Sequence, residues 1–562
     1  MIIYKRKFMN IIAKHGSALV LSLMCLSLAF GLGSCVKDRS TLPDSTSIPL
    51  VEIEVGENKD LTVDYQGKLI VEPKIKASEP TNLAYRWTLT TTSNPSKIDK
   101  DTISEAPVLD YVMKREKSTS PYTLTFTVID RDHNNLEYST SWNVYVNGII
   151  ISGLVIADTE DGVTSNLSYI KSSDLSRTYS GEEKRMMHLF GNETYIKIPS
   201  LVSRLTYSIE GSNLFSHTPR LWAVTKDGKL TLYDVDNDNF KVKYTSEDQS
   251  IFLYKSEPST FKVHNLLVTG PVLSAYTSEG VYTLTPRSGT SQFSLPIDLK
   301  SKPSNGIIAG QNFTNIKEDV ACWYDEDKGA LVTLTRQDKW GNVFGSGSFE
   351  SSDKFDPQKL PNHEALAIEI EDSKPMVYAL LKNKIENKHV IYASSLQTKN
   401  SKGDDVKGKA VGKYSFDENG ESTIKEAKSL FFTKKGAKVL YAVTATDVFA
   451  FTFGEAQSVA KRSESLYKLP QGEEFQFGKL FVQGEYSVEA QNLGILRPKP
   501  AELPLNLQAI ILVSGKTDDK NTIRIIPVDK EKLGTGTLVT ETDKILTYDG
   551  FNKVLDVIHI GQ

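Results

Sequence analysis

The sequence predicts an all-β protein in two parts, a small β-sandwich followed by a longer, repetitive β-propeller. Two observations predict it. From about residue 50 to 147, short runs alternate apolar and polar residues, with turn signals between them. Beyond residue 150, one hairpin unit returns seven times at intervals of roughly 50 to 70 residues, a period of propeller blades.

Ahead of both parts stands a segment with the layout of an export signal. Lys5, Arg6, Lys7 and Lys14 form a basic head, SALVLSLMCLSLAFGLG (17–33) is the apolar stretch, and Gly33 and Ser34 precede Cys35. The apolar run is short for a membrane-spanning helix, which needs about 20 residues. The order Leu32-Gly33-Ser34-Cys35 resembles the bacterial lipobox. That resemblance implies a signal peptide over 1–34, cleavage before Cys35 and acylation of its thiol; the competing reading is a buried cysteine at the end of a signal anchor. Acyl chains hold a protein to a membrane at about 0.8 kcal/mol per buried CH2. Residues 35–49, rich in Pro, Ser and Thr, read as a flexible tether. Val36 after the cysteine resembles lipoproteins sorted to the outer membrane, and Lys37-Asp38 is similar to the charged export signal of surface lipoproteins in Bacteroidota. Cys25 lies in the segment to be removed, and Cys322, in VACWYDE, reads as a buried strand residue. A single further thiol excludes a disulfide framework or a cysteine metal site.

The chain has 562 residues, 39% of them hydrophobic and 24% charged, the composition of a folded protein. It carries 66 basic and 70 acidic residues; removing 1–34 takes four basic residues and leaves 62 against 70, a net charge of −8. With its lysines scattered, that balance excludes a nucleic-acid or anionic-membrane partner as the main function.

The first part, 50–147, contains LVEIEV (50–55), DLTVDY (60–65), KLIVEPKI (68–75), LAYRWTLT (83–90), YTLTFTVID (122–130) and STSWNVYVN (139–147). Six or seven short strands in about 100 residues suit an immunoglobulin-like sandwich. Trp87 is expected in its core, with Tyr122, Leu124, Phe126 and Val128 on one buried face. The strand and its closing Asp130 resemble the late strand of the polycystic kidney disease (PKD) domain.

In the second part, 150–562, the repeated units are GLVIADTEDGVTSNLSYI (153–170), LWAVTKDGKLTLYDV (221–235), VLSAYTSEGVYTLTP (272–286), ACWYDEDKGALVTLT (321–335), MVYALLKNKIENKHVIYASSL (376–396), VLYAVTATDVFAFTF (439–453) and AIILVSGKTDDKNTIRIIPV (509–528). Each has an apolar strand, a polar turn often containing Asp-Gly or Glu-Gly, and a second strand. Glycine accepts the positive φ that tight hairpins need. Each hairpin is expected to be the inner strand pair of one blade, so seven blades follow. Six or eight blades, or a string of sandwich domains, are the alternatives.

The lipobox, the PKD-like module and the repetitive β region together resemble the PKD-like family lipoproteins of Bacteroidota. The phrase GIIISGLVIADTEDGVTSNLSYI is similar to that family's sequence after the PKD-like module. The resemblance implies a cell-surface or periplasmic lipoprotein of the outer membrane that assists a SusC/SusD-type uptake system, with a TonB-dependent transporter and a SusD-like lipoprotein as partners. It carries no catalytic residues.

Candidate chemistry is sparse. The eight histidines show no metal-ligand spacing, and no nucleophile elbow, phosphate loop or dinucleotide fingerprint occurs. His217, His264 and His363 precede repeat hairpins and are candidates for one rim. Asp325, Asp327 and Glu364 are candidates for acid–base work on a glycan, which needs two facing carboxyl groups. Asp234, Asp236 and Asp238 alternate as Ca2+-loop ligands do, but the loop glycine is missing and Thr245 stands at the twelfth position; the competing reading is a polar hairpin turn. DRDHNN (130–135) is the weaker case of the same kind, and Ca2+ is the sole cofactor suggested. Trp340 and Phe344, in the Gly/Ser-rich stretch RQDKWGNVFGSGSFE (336–350), are expected on a loop, where they suit stacking on a sugar or gripping a peptide. The sequence therefore points to a non-catalytic binding protein for a glycan or peptide, with a propeller lyase or hydrolase acting on glycans as the alternative.

Overall fold

The computed structural model describes residues 51–561 outside 56–58, 65–67, 78–81, 92–100, 116–119, 148–151, 177–178, 180–181, 192–193, 214–215, 236–239, 246–250, 253–259, 270–271, 285–291, 294–300, 311–318, 337–343, 373, 437, 455, 485–502 and 517–519. The expected lipobox and tether, including Cys35, lie outside the described residues. The fold is all-β, as the alternation and the hairpins predict. It divides into two compact units whose main border falls between Val144 and Tyr145, with 62–68 and 112–119 grouped with the second.

In the first unit the strands Leu83–Thr91, Tyr122–Asp130 and Leu136–Asn147 form the middle of a five-stranded sheet, edged by Asp60–Asp64 and Asp101–Ser104. Two short ladders accompany it, Val51–Glu54 with Lys74–Ala77 and Lys68–Val71 with Leu109–Val112. Alternation decides the core: Leu124, Phe126 and Val128 are fully buried and Tyr122 nearly so. Trp87 is fully buried, its ring 4.3 Å from Phe126 and 5.7 Å from Trp142, and its Nε1 donates to the Ala106 carbonyl. The turn 130–135 is closed by Asp130, which accepts from the Asp132 amide and from His133 Nδ1, with Asn134 and Asn135 at positive φ. Those contacts make DRDHNN a hairpin turn, in place of a cation loop.

The second unit holds, among the described residues, seven successive sheets of three to five strands. Sheet 2 shows the pattern: Val202–Asn213, Ser216–Thr225, Leu230–Val235 and Phe240–Thr245, each antiparallel to the next. Sheet 3 (263–284), sheet 4 (309–346), sheet 6 (429–468) and sheet 7 (474–551) follow the same order. Sheet 5 starts in the same way at His363–Ile370 and adds the parallel strand Phe349–Glu350 at its outer edge. Sheet 1 is assembled from both ends of the unit. Its first strand is Lys553–Ile560, paired with Gly153–Thr159 from Gly153↔Ile560 to Thr159↔Lys553. Pairing the last strand with the earliest one removes a free sheet edge.

Every one of the seven repeated sequence units forms a hairpin, but as the second and third strands of its sheet. The expectation of an inner pair is corrected: a separate first strand lies inside each hairpin. Second strands such as Gly153–Thr159 and Ala509–Gly515 are buried throughout, because neighbouring sheets cover both faces. Leu154 and Ile156 pack towards sheet 7, whereas Val155 and Ala157 pack towards sheet 2. Corresponding clusters join sheets 2 and 3, 3 and 4, 4 and 5, 5 and 6, and 6 and 7, so the apolar interfaces run in a closed ring. Among the described residues one α-helix, α1 (Glu418–Glu426), sits outside sheets 5 and 6, capped by Asp417 and tied down by Glu421, which accepts from the backbone amide and Nδ1 of buried His389. Among the described residues no helix is long and apolar enough to cross a membrane.

Candidate functional site

The hairpin turns between second and third strands are built by a recurring cap. Thr159 Oγ1 accepts from the Gly162 amide, Thr225 Oγ1 from the Lys229 amide, Thr277 Oγ1 from the Glu279 amide and Thr444 Oγ1 from the Asp447 amide. Gly162 and Gly228, at φ 70° and 86°, supply the left-handed residue. In sheet 4 the capping residue is Asp325, whose fully buried carboxylate accepts from the Lys328 and Lys302 amides and from Ser301 Oγ. Asp325 is thus spent on a turn. Asp327 pairs with Lys302 at 3.5 Å, and Glu364 pairs with Lys382 at 3.2 Å. Each of the three acids is engaged by its own partners.

The first strands form the inside of the ring, and nearly all share one irregularity. Leu555, Ser203, His264, Leu366 and Gln476 are extra residues in the first strands of sheets 1, 2, 3, 5 and 7, skipped by the ladder to the second strand. Such a bulge re-aims the residues around it. In sheet 1 the next residue, Asp556, turns to sheet 2: one carboxylate oxygen accepts from the Leu205 amide, the other from the Val557 amide and Lys479 Nζ of sheet 7. Asn265 does the same in sheet 3, accepting from the Leu266 amide and donating to the Gly306 carbonyl ahead of sheet 4. Ser304 Oγ accepts from the Ala365 amide of sheet 5, and Ser429 Oγ from the Gly478 amide of sheet 7. The inner ring is therefore stitched by side chains as well as packed.

Two charges pair between sheets 5 and 6. Glu369, on the first strand of sheet 5, lies 3.6 Å from Lys434, which follows the first strand of sheet 6. Burial pushes the Glu369 carboxyl above the ordinary range, and Lys434 and Arg204 pull it back. Arg204 belongs to the first strand of sheet 2. The Arg204 side chain is exposed and makes no hydrogen bond or ion pair among the described residues. The first strands carry half-buried apolar side chains, among them Leu267, Leu430, Phe477, Leu555 and Ile558, and half-buried polar ones, among them Thr206, Ser429 and Gln476. The arrangement can hold an anionic group beside an apolar one.

The other candidates fall elsewhere. Trp340, Asp236 and Asp238 lie outside the described residues, as do the side chains of Asp234, Phe344 and His217. The backbone at Asp234 pairs with Arg220 and Lys241 within sheet 2. Phe344 opens the strand Phe344–Ser346, paired with Arg336 at the outer edge of sheet 4; the loop expected there is corrected, because ladder pairing takes up its backbone. No group of three or more potential metal ligands occurs among the described residues. His363 is buried, with Nδ1 against the Pro361 carbonyl and Nε2 facing the Tyr392 hydroxyl, whereas His264 is exposed with its ring 5.7 Å from Tyr276. Both stand near the start of a first strand, in sheets 3 and 5. Cys322 is a buried strand residue, as expected. Sequence reading missed Arg204, Glu369 and Lys434; nothing in their local sequence distinguishes them from surface charges.

No family model matches the chain, and no curated protein matches it. It is similar to a solved structure of a candidate 6-phosphogluconolactonase from Bacteroides uniformis, at 12% identity over 73% of this chain and 99% of that one, with a TM-score of 0.40. An Aleuria aurantia lectin mutant in complex with α-methyl-L-fucoside matches at 10% identity over 63% of this chain and 95% of that one, with a TM-score of 0.26. The extracellular domain of a candidate one-component system from B. thetaiotaomicron matches at 8% identity over 90% and 69%, with a TM-score of 0.29. Overlaps this loose define no residue correspondence, and the site is read from its own geometry.

Proposed function

We propose that this chain is a lipid-anchored, non-catalytic binding protein of the outer membrane, holding a glycan or peptide for a SusC/SusD-type uptake system. Cys35 is the lipid site, 35–49 the tether, 50–147 a PKD-like sandwich and 150–562 a seven-bladed propeller. The seven successive sheets and the closed ring of apolar clusters support the blade count. The PKD-like reading is supported by the buried Trp87 and the single buried face of Tyr122–Asp130.

The observation that carries the binding reading is the interior itself. The first strands offer an exposed guanidinium and half-buried apolar side chains, while five of the acids are engaged singly: Asp325 on a turn, Asp327 and Glu364 on lysines, Glu369 on Lys434 and Asp556 on a stitch. Glycoside hydrolysis needs two free carboxyl groups about 5–10 Å apart on one sugar. A pull-down from detergent-solubilised membranes, with the intact chain and a Cys35→Ala control, tests the reading. Recovery of a TonB-dependent transporter with a SusD-like lipoprotein, lost in the control, is the expected result. Recovery of the chain alone, together with turnover of a crude glycan mixture, would replace it with the enzyme.

A further inference from the structure

We infer that the cleft between α1 and the outer edge of sheet 6 binds a small ligand through a single carboxylate, with Arg462 as its main contact. The site lies outside the ring and goes beyond the reading above. The cleft has a volume of about 420 Å3 and is lined by Asp417, Asn419, Val459, Ala460, Lys461 and Arg462. That volume falls within the range of small-molecule pockets.

Contacts on both sides fix its walls. Gly420 seats the helix against sheet 6: a Cβ there would stand 3.2 Å from the Phe451 ring and 3.0 Å from Asp417 Oδ1. His389 of sheet 5 holds Glu421 on the same helix. On the other wall Val459 forms a parallel bridge to Ser415, and the Ala460 amide donates to the Ser415 carbonyl at 2.8 Å. Arg462 spans the two walls. Its Nη1 donates to Thr423 Oγ1 of α1 at 3.0 Å, and its guanidinium lies 4.9 Å from the centre of the Phe449 ring of sheet 6. Stacking and hydrogen bond together set the plane of the fork and leave its other donors to the cleft. Among the described residues neither Arg462 nor Lys461 forms an ion pair.

Charge decides the kind of ligand. The lining holds two cations and one carboxylate, so it balances one negative charge. A phosphate dianion exceeds that balance, whereas a carboxylate matches the guanidinium fork edge-on. Asp417 gives Oδ1 to the Gly420 amide; its other oxygen and the Asn419 side chain offer acceptors for hydroxyl or ammonium groups beside the ligand's carboxylate. A uronic acid and a free amino acid share that chemistry.

The test uses the full-length chain in lipid nanodiscs and saturation-transfer NMR of the ligand. D-galacturonate is compared with D-galactose, L-leucine with L-leucinamide, and inorganic phosphate is added as a competitor. In one pair the acid should bind about tenfold more tightly than its partner, and that pair identifies the source. Arg462→Gln should abolish the preference. Val459→Asp, which adds a like charge at a 40% exposed position, should abolish it without shifting the urea midpoint. Equal binding within both pairs, a preference that survives both variants, displacement of the acid by equimolar phosphate, or silence from both acids overturns the inference. None of these outcomes touches the uptake reading, which stands or falls by the pull-down.

Discussion

Replacing Asp556 should loosen the closure of the ring more than any other single polar change on the inner strands. Its side chain is 11% exposed and serves three donors: the amides of Leu205 and Val557 and the ammonium of Lys479. Leu205 lies 351 residues away in sequence, on sheet 2, so this one side chain joins the closing strand to the sheet on one side and, through Lys479, to sheet 7 on the other. Asp556→Ala strands two buried amide donors, each costing about 1–3 kcal/mol. Loss of the partly exposed ion pair adds up to about 1 kcal/mol, since Lys479 keeps 31% of its side-chain surface. The sum is about 2–7 kcal/mol. Asp556→Asn keeps an acceptor for one amide and should cost about half as much, and Lys479→Met about 1 kcal/mol or less. Urea unfolding followed by Trp222 and Trp323 fluorescence, both fully buried in the second unit, measures the loss. Amide exchange at Leu205 and Val557 should accelerate in the same variant. A loss below about 1 kcal/mol with protection unchanged would refute the argument that Asp556 holds the closure.

Three further outcomes follow from the same structure. Trp87→Ala removes a fully buried ring and its bond to Ala106, and should cost the first unit about 3–5 kcal/mol, seen as an earlier melting transition for that unit alone. His559 is buried neutral, with Nε2 donating to the Leu175 carbonyl and Nδ1 accepting from the Gly484 amide; burial pushes its pKa down to about 4. The unfolded chain therefore takes up a proton that the folded one refuses, so stability is full above about pH 6.5 and falls by up to about 3 kcal/mol between there and pH 4. A His559→Gln variant should flatten that slope in pH-dependent denaturation curves. Thr225→Val removes the cap of the 226–228 turn, where Oγ1 accepts from the Lys229 amide, and should cost about 1 kcal/mol in thermal unfolding, while Thr225→Ser should cost less.

The hairpins were legible because their contacts are local. An apolar run, a Thr/Asp–Gly turn and a second run lie within about 20 residues, and the turn chemistry alone sets the register. The core of the first unit was legible for a similar reason, since alternation names the buried face of Tyr122–Asp130. First strands were not legible. The extra residues Ser203, His264, Leu366, Gln476 and Leu555 break the period of two on which strand recognition depends. The seven hairpins were accordingly taken as inner pairs when they are one strand further out.

Alone, the sequence determined the β class, the seven hairpins, their turns, and the places of Trp87 and Cys322, all of which follow from neighbours along the chain. Only the tertiary structure decided that Gly153 pairs with Ile560 to close the ring, and that Asp556 and Leu205, 351 residues apart, are joined by a hydrogen bond. A sheet edge says which backbone groups are free but not which distant strand will fill them. An arginine or glutamate reads alike in sequence, facing solvent or facing the inside of a ring. Packing both faces of every sheet against its neighbours is what selects one partner for each edge and turns scattered charges into a site.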